Sequence, residues 1–386
     1  MINGFIDSNL DLDAVGIKKT SLLVKNGLIS EVGNNPEKSL INVPNDLFVV
    51  PGFIDEHIHG SNGFDVMEGN YDSLHTISKA ILMDGVVAYC PTTMTMSKDE
   101  IIKALTNINE YIKKNPLDTA KVLGAHLEGP FISKKYKGAQ EEINIKKCDV
   151  NLFKEFEDVC PSIKEVTFAY EENGKELLRY LVSKNITPSI GHTNCKAELL
   201  KEGIEEGISC ATHTFNAMSP FLHREVGTVG TVLLSDKVNC ELICDLIHVC
   251  PDAIRLLYKC KGKKIILITD SMEAKHMKDG IYSLGGQKVI VKDNAARLSD
   301  GTLAGSILTM NKAIKNIRDV LSLSFTDAID LATINPARNI HEDKHLGSIK
   351  AGKDASFAIV DKDFDVKATI VNGEILFKKE DYSWLR

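Results

Sequence analysis

From residue 48 onward, short apolar runs rich in β-branched residues alternate with longer segments whose apolar positions recur every three or four residues. The short runs are typical of buried strands, and the longer segments are typical of amphipathic helices. Regular alternation of the two predicts strand–helix units repeated around a parallel sheet. The candidate strands cover residues 48–54, 86–90, 122–127, 166–169, 186–190, 209–212, 239–244 and 265–269.

Eight strands are enough to close a parallel sheet into a barrel. The segments between them predict outer helices. The clearest of these helices cover residues 72–83, 98–112, 174–183, 196–206 and 251–260. The sequence therefore predicts an α/β fold in which residues 51–346 form a (β/α)8 barrel of the TIM type.

The two chain ends follow a different pattern. Residues 1–50 and 347–386 contain short strand-like runs separated by turn signals. Asn26-Gly27 and Asn372-Gly373 are dipeptides that favour tight hairpin turns between antiparallel strands. We therefore predict that the two ends pair with each other and form one small β-sandwich domain beside the barrel.

Potential metal ligands stand where the candidate strands end. Because the carboxyl ends of barrel strands meet at one mouth, we expect these side chains to converge there. They are imidazoles and carboxylates, which suit a divalent metal such as Zn or Fe. Six donors exceed what one four-coordinate ion requires, so one or two ions per subunit are both compatible with the sequence. The candidates are His57, His59, Glu128, His192, His213 and Asp270.

Composition narrows the possible partners and the compartment. Charged residues make up 26% of the chain and the formal net charge is -7, which gives no general attraction to nucleic acid or to an anionic membrane. The amino terminus lacks a secretory pattern, and the longest apolar runs are too short to cross a bilayer. The nine cysteines are scattered singly, which suits a reducing compartment. We therefore expect a cytoplasmic protein.

Several segments resemble one family specifically. They are PGFIDEHIHG (51–60), HLEGPF (126–131), THTFNAM (212–218), TDSMEA (269–274), DGTLAGS (300–306) and NPAR (335–338). In this order they resemble the N-acetylglucosamine-6-phosphate deacetylase family of the amidohydrolase superfamily, and the similarity spans nearly the whole chain. The resemblance implies a distorted (β/α)8 barrel with a small β-domain built from both termini.

The resemblance also implies a reaction and assigns roles. The reaction is metal-dependent hydrolysis of the acetamide of N-acetylglucosamine 6-phosphate in amino-sugar catabolism. Asp270 matches the catalytic carboxylate, and His248 matches a residue that contacts the substrate near the amide. Metal ligation falls to the positions matched by Glu128, His192 and His213. Retention of His57 and His59 resembles the family members that hold two ions.

Substrate contacts are likewise implied by the resemblance. Arg224 matches a phosphate contact that relatives can supply from a neighbouring subunit, so a homodimer is expected. Gln140 stands where some members carry His. The implied substrate-binding set is Ala139, Gln140, Asn216, Ala217, Arg224, His248, Leu303, Ala304 and Gly305.

Two alternatives stay open at this point. One is an amidohydrolase that opens a cyclic amide or deaminates a ring, although such relatives commonly use a carbamylated lysine where this chain has Glu128. The other is a non-catalytic barrel that serves as a scaffold, because the barrel fold alone does not define a function.

Overall fold

The predicted strand–helix units form a barrel in the computed structural model, which describes residues 1–13, 15–33 and 40–380. Of the predicted terminal domain, residues 14, 34–39 and 381–386 therefore lie outside the described part. The barrel strands are Phe53–Ile58, Val86–Pro91, Lys121–Val122 with Ala125–Glu128, Ile163–Phe168, Thr187–Ile190, Cys210–Ala211, Asn239–Ile243 and Ile265–Ile268. The fold class predicted from the sequence is thus confirmed.

Neighbouring barrel strands pair in parallel, but the ring is irregular. Regular pairing runs from the first strand to Lys121–Val122, and again from Ala125–Glu128 to the eighth strand. The two arcs are joined by single parallel bridges, Thr92 to His126 and Ile58 to Ser271. The barrel is therefore distorted at its third strand and at its closure.

The first predicted strand, 48–54, was wrong as a single element. Leu47–Pro51 belongs to the terminal sheet, whereas Phe53–Ile58 begins the barrel. Gly52 separates them, and a Cβ at this position would lie 2.2 Å from the Val87 side chain. The apolar pattern could not reveal the division, because both strands are buried throughout most of their length.

Helices cover the outside of the barrel. The longest begins with a capping box, in which Ser97 Oγ accepts from the Glu100 amide and the Glu100 side chain accepts from the Ser97 amide. Such a cap stabilises a helix by about 1 kcal/mol. None of the helices in the described residues is long and apolar enough to cross a bilayer. The helices are Tyr71–Ala80, Lys98–Lys114, Val150–Val159, Gly174–Ser183, Ala197–Glu206, Gly227–Leu234, Pro251–Lys261, Met310–Leu321, Phe325–Asp330 and Ile334–Asn339.

Both chain ends contribute to one seven-stranded sheet, as predicted. Its central pairing joins Leu47–Pro51 to Phe357–Asp361 in antiparallel register. Asn26-Gly27 and Asn372-Gly373 all have positive φ and form the two expected hairpin turns. Side chains from strands across the sheet enclose a second apolar core. The domain limits at residues 50 and 346 stay a prediction. The strand order is Glu374–Lys378, Val366–Val371, Phe357–Asp361, Leu47–Pro51, Gly4–Leu12, Gly16–Lys25 and Leu28–Gly33.

A small antiparallel sheet follows the eighth barrel strand and was not predicted from the sequence. Its strands are Gly280–Leu284, Gln287–Lys292 and Ala295–Arg297. Its inner face packs Leu284 and other apolar residues against Met94 and Met272. This sheet therefore stands next to the barrel mouth, beside the loop that carries Leu303 to Gly305.

The barrel interior is polar, whereas barrels of this type are usually filled by Val, Ile and Leu. Glu56, Glu165 and Glu241 are fully buried, and their carboxylates lie within 4.8 Å of one another. Asn339 Nδ2 donates to Glu56 Oε1 at 3.0 Å and to Glu165 Oε2 at 3.3 Å. Burial, and then the charge of Glu241, raises the pKa of Glu165 well above its usual value.

This raised pKa predicts how stability depends on pH. Above the unfolded-state pKa of about 4.3, the native protein keeps a proton on Glu165 that the unfolded chain has lost, so the free energy of unfolding falls as pH rises. Glu165→Gln removes this dependence. In urea unfolding of metal-free protein, the variant should gain stability relative to wild type between pH 5.5 and 8.5, by up to about 1.4 kcal/mol per pH unit.

The matched control is Glu202→Gln, because Glu202 is exposed on the helix Ala197–Glu206. Its stability should follow the wild-type pH dependence. An equal pH dependence in Glu165→Gln and wild type would contradict the assignment of a buried proton to Glu165.

Candidate active site

The six predicted ligands all lie at the carboxyl end of the barrel. The strand ends place them there, as expected for a barrel of this topology. His57 is within the first strand, Glu128 is the last residue of the third, and His59, His192, His213 and Asp270 each follow a strand by one or two residues.

Three of these residues have an unfavourable backbone conformation. The φ angles are 46° at His192, 32° at His213 and 47° at Asp270. For residues other than glycine, such a conformation costs about 1–3 kcal/mol and is concentrated at functional sites. Backbone hydrogen bonds hold the turns, including one of 2.8 Å from the Asp270 amide to the His57 carbonyl. The scaffold therefore imposes the positions of these side chains.

Glu128 lies at the centre of the cluster. Its Oε1 atom is 3.1 Å from His213 Nε2, 3.3 Å from His192 Nε2 and 3.6 Å from His57 Nε2. Its Oε2 atom is 3.3 Å from His59 Nε2. Oε1 thus faces three histidines and Oε2 faces one, so a single carboxylate is shared by all four imidazoles.

Asp270 completes the site on the side of the first strand. Its Oδ1 atom is 3.2 Å from His59 Nε2 and 3.6 Å from His57 Nε2. It therefore shares with Glu128 the space that the first-strand histidines face.

Hydrogen bonds at Nδ1 orient three of the imidazoles. His57 Nδ1 is 3.0 Å from Glu241 Oε2, His59 Nδ1 is 3.2 Å from the Thr92 carbonyl, and His192 Nδ1 is 2.9 Å from the Tyr136 carbonyl. A carbonyl or carboxylate oxygen can only accept, so each Nδ1 carries the proton. Nε2 is then the atom directed at Glu128 and the atom left to bind a metal, as in metal-binding histidines.

This donor set fits divalent metal ions. Two nitrogen ligands at about 2.0–2.1 Å from a tetrahedral ion lie about 3.3 Å apart. His192 Nε2 and His213 Nε2 are 3.1 Å apart, so unprotonated lone pairs would repel each other without a cation between them. Two groups of donors share Glu128, one with His57 and His59 and one with His192 and His213. The residues present therefore provide for a divalent metal, with room for two.

The charges of these groups depend strongly on one another. Burial alone would lower the pKa of His57, but the carboxylates of Glu241, Asp270 and Glu128 raise it to about 9. Burial would raise the pKa of Asp270, but His57 and His59 lower it to about 2. In the metal-free protein the cluster therefore holds protons on imidazoles and negative charge on carboxylates.

A cavity of about 320 Å³ opens above the cluster, and most of the predicted substrate-binding residues line it. Two do not. Ala304 is fully buried in the core beside the small antiparallel sheet. Arg224 is exposed on the loop before Gly227–Leu234 and is not among the lining residues. The predicted residues that line the cavity are Ala139, Gln140, Asn216, Ala217, His248, Leu303 and Gly305.

His248 is held by a residue that the sequence reasoning missed. Its Nδ1 atom is 2.7 Å from Asp245 Oδ2, while Asp245 Oδ1 accepts from the His248 amide at 2.8 Å. Burial would raise the pKa of Asp245, but its contact with His248 lowers it. Asp245 therefore fixes the ring, with Nε2 left for the cavity. Its spacing of three residues before His248 was the available signal.

Other contributions were also missed. Glu241 holds His57 through a barrel strand, and alternation along that strand could have indicated its inward direction. Lys135 and Tyr136 line the cavity from the loop after the third strand. The basic run around Lys135 was visible in the sequence, but nothing in it distinguishes a cavity residue from a solvated loop.

Comparisons with known proteins agree with this geometry. The model of the amidohydrolase family matches residues 48–376, so the chain belongs to that family. N-acetylglucosamine-6-phosphate deacetylase of Bacillus subtilis (strain 168) is 42% identical over 94% of this chain and 93% of its own. Within the family, the chain belongs with the N-acetylglucosamine-6-phosphate deacetylases, which confirms the resemblance seen in its motifs.

A solved structure and a related deacetylase extend the comparison. The N-acetylglucosamine-6-phosphate deacetylase of Thermotoga maritima has a TM-score of 0.90 at 34% identity, covering 97% of this chain and 100% of its own. N-acetylgalactosamine-6-phosphate deacetylase of Escherichia coli O157:H7 is 32% identical over 84% of this chain and 86% of its own. The fold is therefore shared with the Thermotoga maritima enzyme over nearly the whole chain.

Protons and metal should compete for His57. A metal binds the neutral imidazole, whereas the pKa of about 9 leaves His57 protonated at neutral pH in the metal-free protein. Apparent metal affinity should therefore rise with pH from 6.5 to 8.5, by up to about tenfold per unit for each proton displaced. Chelator competition with Zn²⁺ at three pH values measures this.

Glu241→Gln provides the matched control for this measurement. It keeps an oxygen for His57 Nδ1 but removes the largest charge that raises the His57 pKa. The affinity of the variant should depend less steeply on pH. An affinity that is independent of pH in the wild type would show that no such proton is displaced.

Proposed function

We propose that this chain hydrolyses the acetamide of N-acetylglucosamine 6-phosphate to glucosamine 6-phosphate and acetate. The observation that carries the proposal is Glu128, with its four facing imidazoles and Asp270, at the floor of a cavity lined by the predicted sugar-contact positions. The complete donor set argues against a non-catalytic scaffold. Glu128 at the bridging position argues against the cyclic-amide and deaminating relatives.

The metal and the carboxylate have separate tasks in this reaction. The divalent ion, which we propose to be Zn or Fe, supplies Lewis acidity that polarises the amide carbonyl and makes a water molecule more acidic. His57, His59, Glu128, His192 and His213 would hold it. The carboxylate of Asp270 is ionised, because the neighbouring histidines lower its pKa, and it lies 3.2 Å from His59 Nε2 in the same cluster, where it can accept the proton of the attacking water.

Asp270 then returns this proton to the departing nitrogen, which acts as a poor leaving group until it is protonated. His248 lies in the cavity wall with Nδ1 bound to Asp245. Because Asp245 accepts the Nδ1 proton, the doubly protonated ring is the form whose Nε2–H can donate to the oxygen that gains charge as the tetrahedral intermediate forms. Asp245 stabilises this arrangement by keeping the ring in one orientation.

We also propose that the enzyme works in the cytoplasm. All nine cysteines are free thiols, and seven of them are at least partly buried. Unpaired cysteines are typical of a reducing compartment. A phosphorylated sugar is also charged and does not leave the cell by diffusion, so its hydrolysis suits that compartment.

An acetate-release assay tests the proposed reaction. Metal-loaded protein should release acetate from N-acetylglucosamine 6-phosphate, and much less from N-acetylglucosamine, because the phosphate supplies binding energy. Asp270→Asn should retain metal and lose at least about two orders of magnitude in rate, the usual scale of general acid–base assistance. Absence of turnover by metal-loaded wild type would remove the proposal.

The same assay with N-acetylgalactosamine 6-phosphate defines the sugar specificity. The Escherichia coli relative that carries that substrate in its name makes it the appropriate competitor. A higher kcat/KM for the galacto sugar would assign this chain the epimeric substrate while leaving the chemistry of the site unchanged.

We further propose that the enzyme is a homodimer in which Arg224 reaches the partner's cavity. Phe221 and Leu222, three and two residues before Arg224, are 57% and 56% exposed, which favours an interface at this loop. Among the described residues, Lys135 is the only lysine or arginine that lines the cavity. A phosphate is better held by the planar fork of an arginine. Arg224 from a second subunit would supply the arginine that holds the phosphate in this cavity.

Mixed dimers test this arrangement. Arg224→Ala and Asp270→Asn subunits, carrying different affinity tags, are co-expressed and the heterodimer is purified. If Arg224 acts across a two-fold interface, one of the two sites contains both native residues and about half of the wild-type activity returns. If Arg224 acts within its own subunit, the heterodimer stays as inactive as the parents. Light scattering checks the dimer mass.

A further inference from the structure

Gln140 makes contacts unlike those of the other residues that line the cavity. It lies in the loop after the third barrel strand and its side chain is 2% exposed. Its Nε2 atom donates to Glu128 Oε2 at 2.8 Å, and its Oε1 atom accepts from the Thr95 amide at 2.7 Å. The side chain therefore joins the metal-binding carboxylate to the backbone at the end of the second strand.

The orientation of this amide is fixed by chemistry. The Thr95 backbone N–H can only donate, so the atom facing it must be the carbonyl oxygen of Gln140. Nε2 is then directed at Glu128, and its remaining hydrogen faces Met94 Sδ at 3.7 Å. Both strong hydrogen-bonding groups of Gln140 are thus used inside the protein.

The contact makes the two oxygens of Glu128 unequal. Oε2 receives the Gln140 hydrogen bond and faces His59, whereas Oε1 faces the other three histidines, His57, His192 and His213. A carboxylate without this contact can rotate about its last bond. With it, the carboxylate plane is held so that Oε2 points to His59 and Oε1 points to His57, His192 and His213.

We propose that Gln140 is a positioning residue of the metal centre, holding Glu128 in the orientation that serves both metal positions, and is not a direct contact for the sugar. The proposal rests on the metal-dependent function given above. It changes the role of Gln140 from the substrate contact implied by the family resemblance to a residue that positions Glu128.

Gln140→Met tests the proposal, because it keeps the chain length and removes both hydrogen bonds. Loss of a group that orients a metal ligand typically weakens metal affinity about 10- to 100-fold. We expect that loss in chelator competition with Zn²⁺, together with a changed absorption spectrum of the Co²⁺-substituted protein. At saturating metal, KM for the sugar phosphate should stay within about twofold of wild type, since the sugar contacts are intact.

Two further variants keep the test decisive. Gln140→Asn has an amide too short to join Thr95 to Glu128, and it should lose affinity in the same direction if the Met variant does not fold. Glu142→Gln changes an exposed residue of the same loop and should bind Zn²⁺ like wild type.

The opposite result has a distinct signature. Wild-type metal affinity and an unchanged Co²⁺ spectrum in Gln140→Met, combined with a raised KM, would make Gln140 a sugar contact and overturn the proposal. Metal affinity is measured without substrate, so its loss in this variant stands even if the wild type proves to act on another substrate. Failure of the proposed function and failure of this inference are therefore separable.

Discussion

The architecture depends on one electrostatic constraint, the gathering of imidazole lone pairs around a single buried carboxylate. Glu128 faces His57, His59, His192 and His213 at 3.1–3.6 Å. Such an arrangement is stable only with positive charge inside it, supplied by protons or by metal ions. The strained backbone near these residues shows that the barrel, and not local preference, enforces the geometry.

The barrel can enforce this geometry because its strands are buried on both faces and anchored beyond the site. Amphipathic helices cover the outside with their apolar faces inward, while the interior carries carboxylates and hydroxyls joined by hydrogen bonds. Glu241 connects the polar barrel interior to the cluster of predicted ligands. Its Oε2 atom accepts from the His213 amide at 2.9 Å and lies 3.0 Å from His57 Nδ1. Polar packing within the barrel therefore contributes directly to ligand orientation.

The sequence was most informative where periodicity and topology act together. Ligands at strand ends could be predicted, because a parallel barrel brings those ends to one mouth whatever the loop lengths. The split at Gly52 and the sheet at Gly280–Leu284 could not, since both depend on contacts between distant segments. The carbonyls of Thr92 and Tyr136 orient His59 and His192, and backbone atoms leave no trace in residue identity.

Strand ends carry the predicted metal ligands, whereas loops line the cavity above them. This difference explains how relatives can be named as deacetylases for different sugars. Groups that hold metal and move protons are fixed by strand ends, so changing them alters the chemistry itself. Residues that line the cavity above them lie on loops, such as Lys135 before Gly138 and Asn216 after His213. Loop substitutions can change the preferred sugar while the strand ends stay unchanged. Gln140 is the exception in this chain, because this loop residue donates to Glu128, and under the proposal above substitutions there should affect metal binding before they affect the sugar.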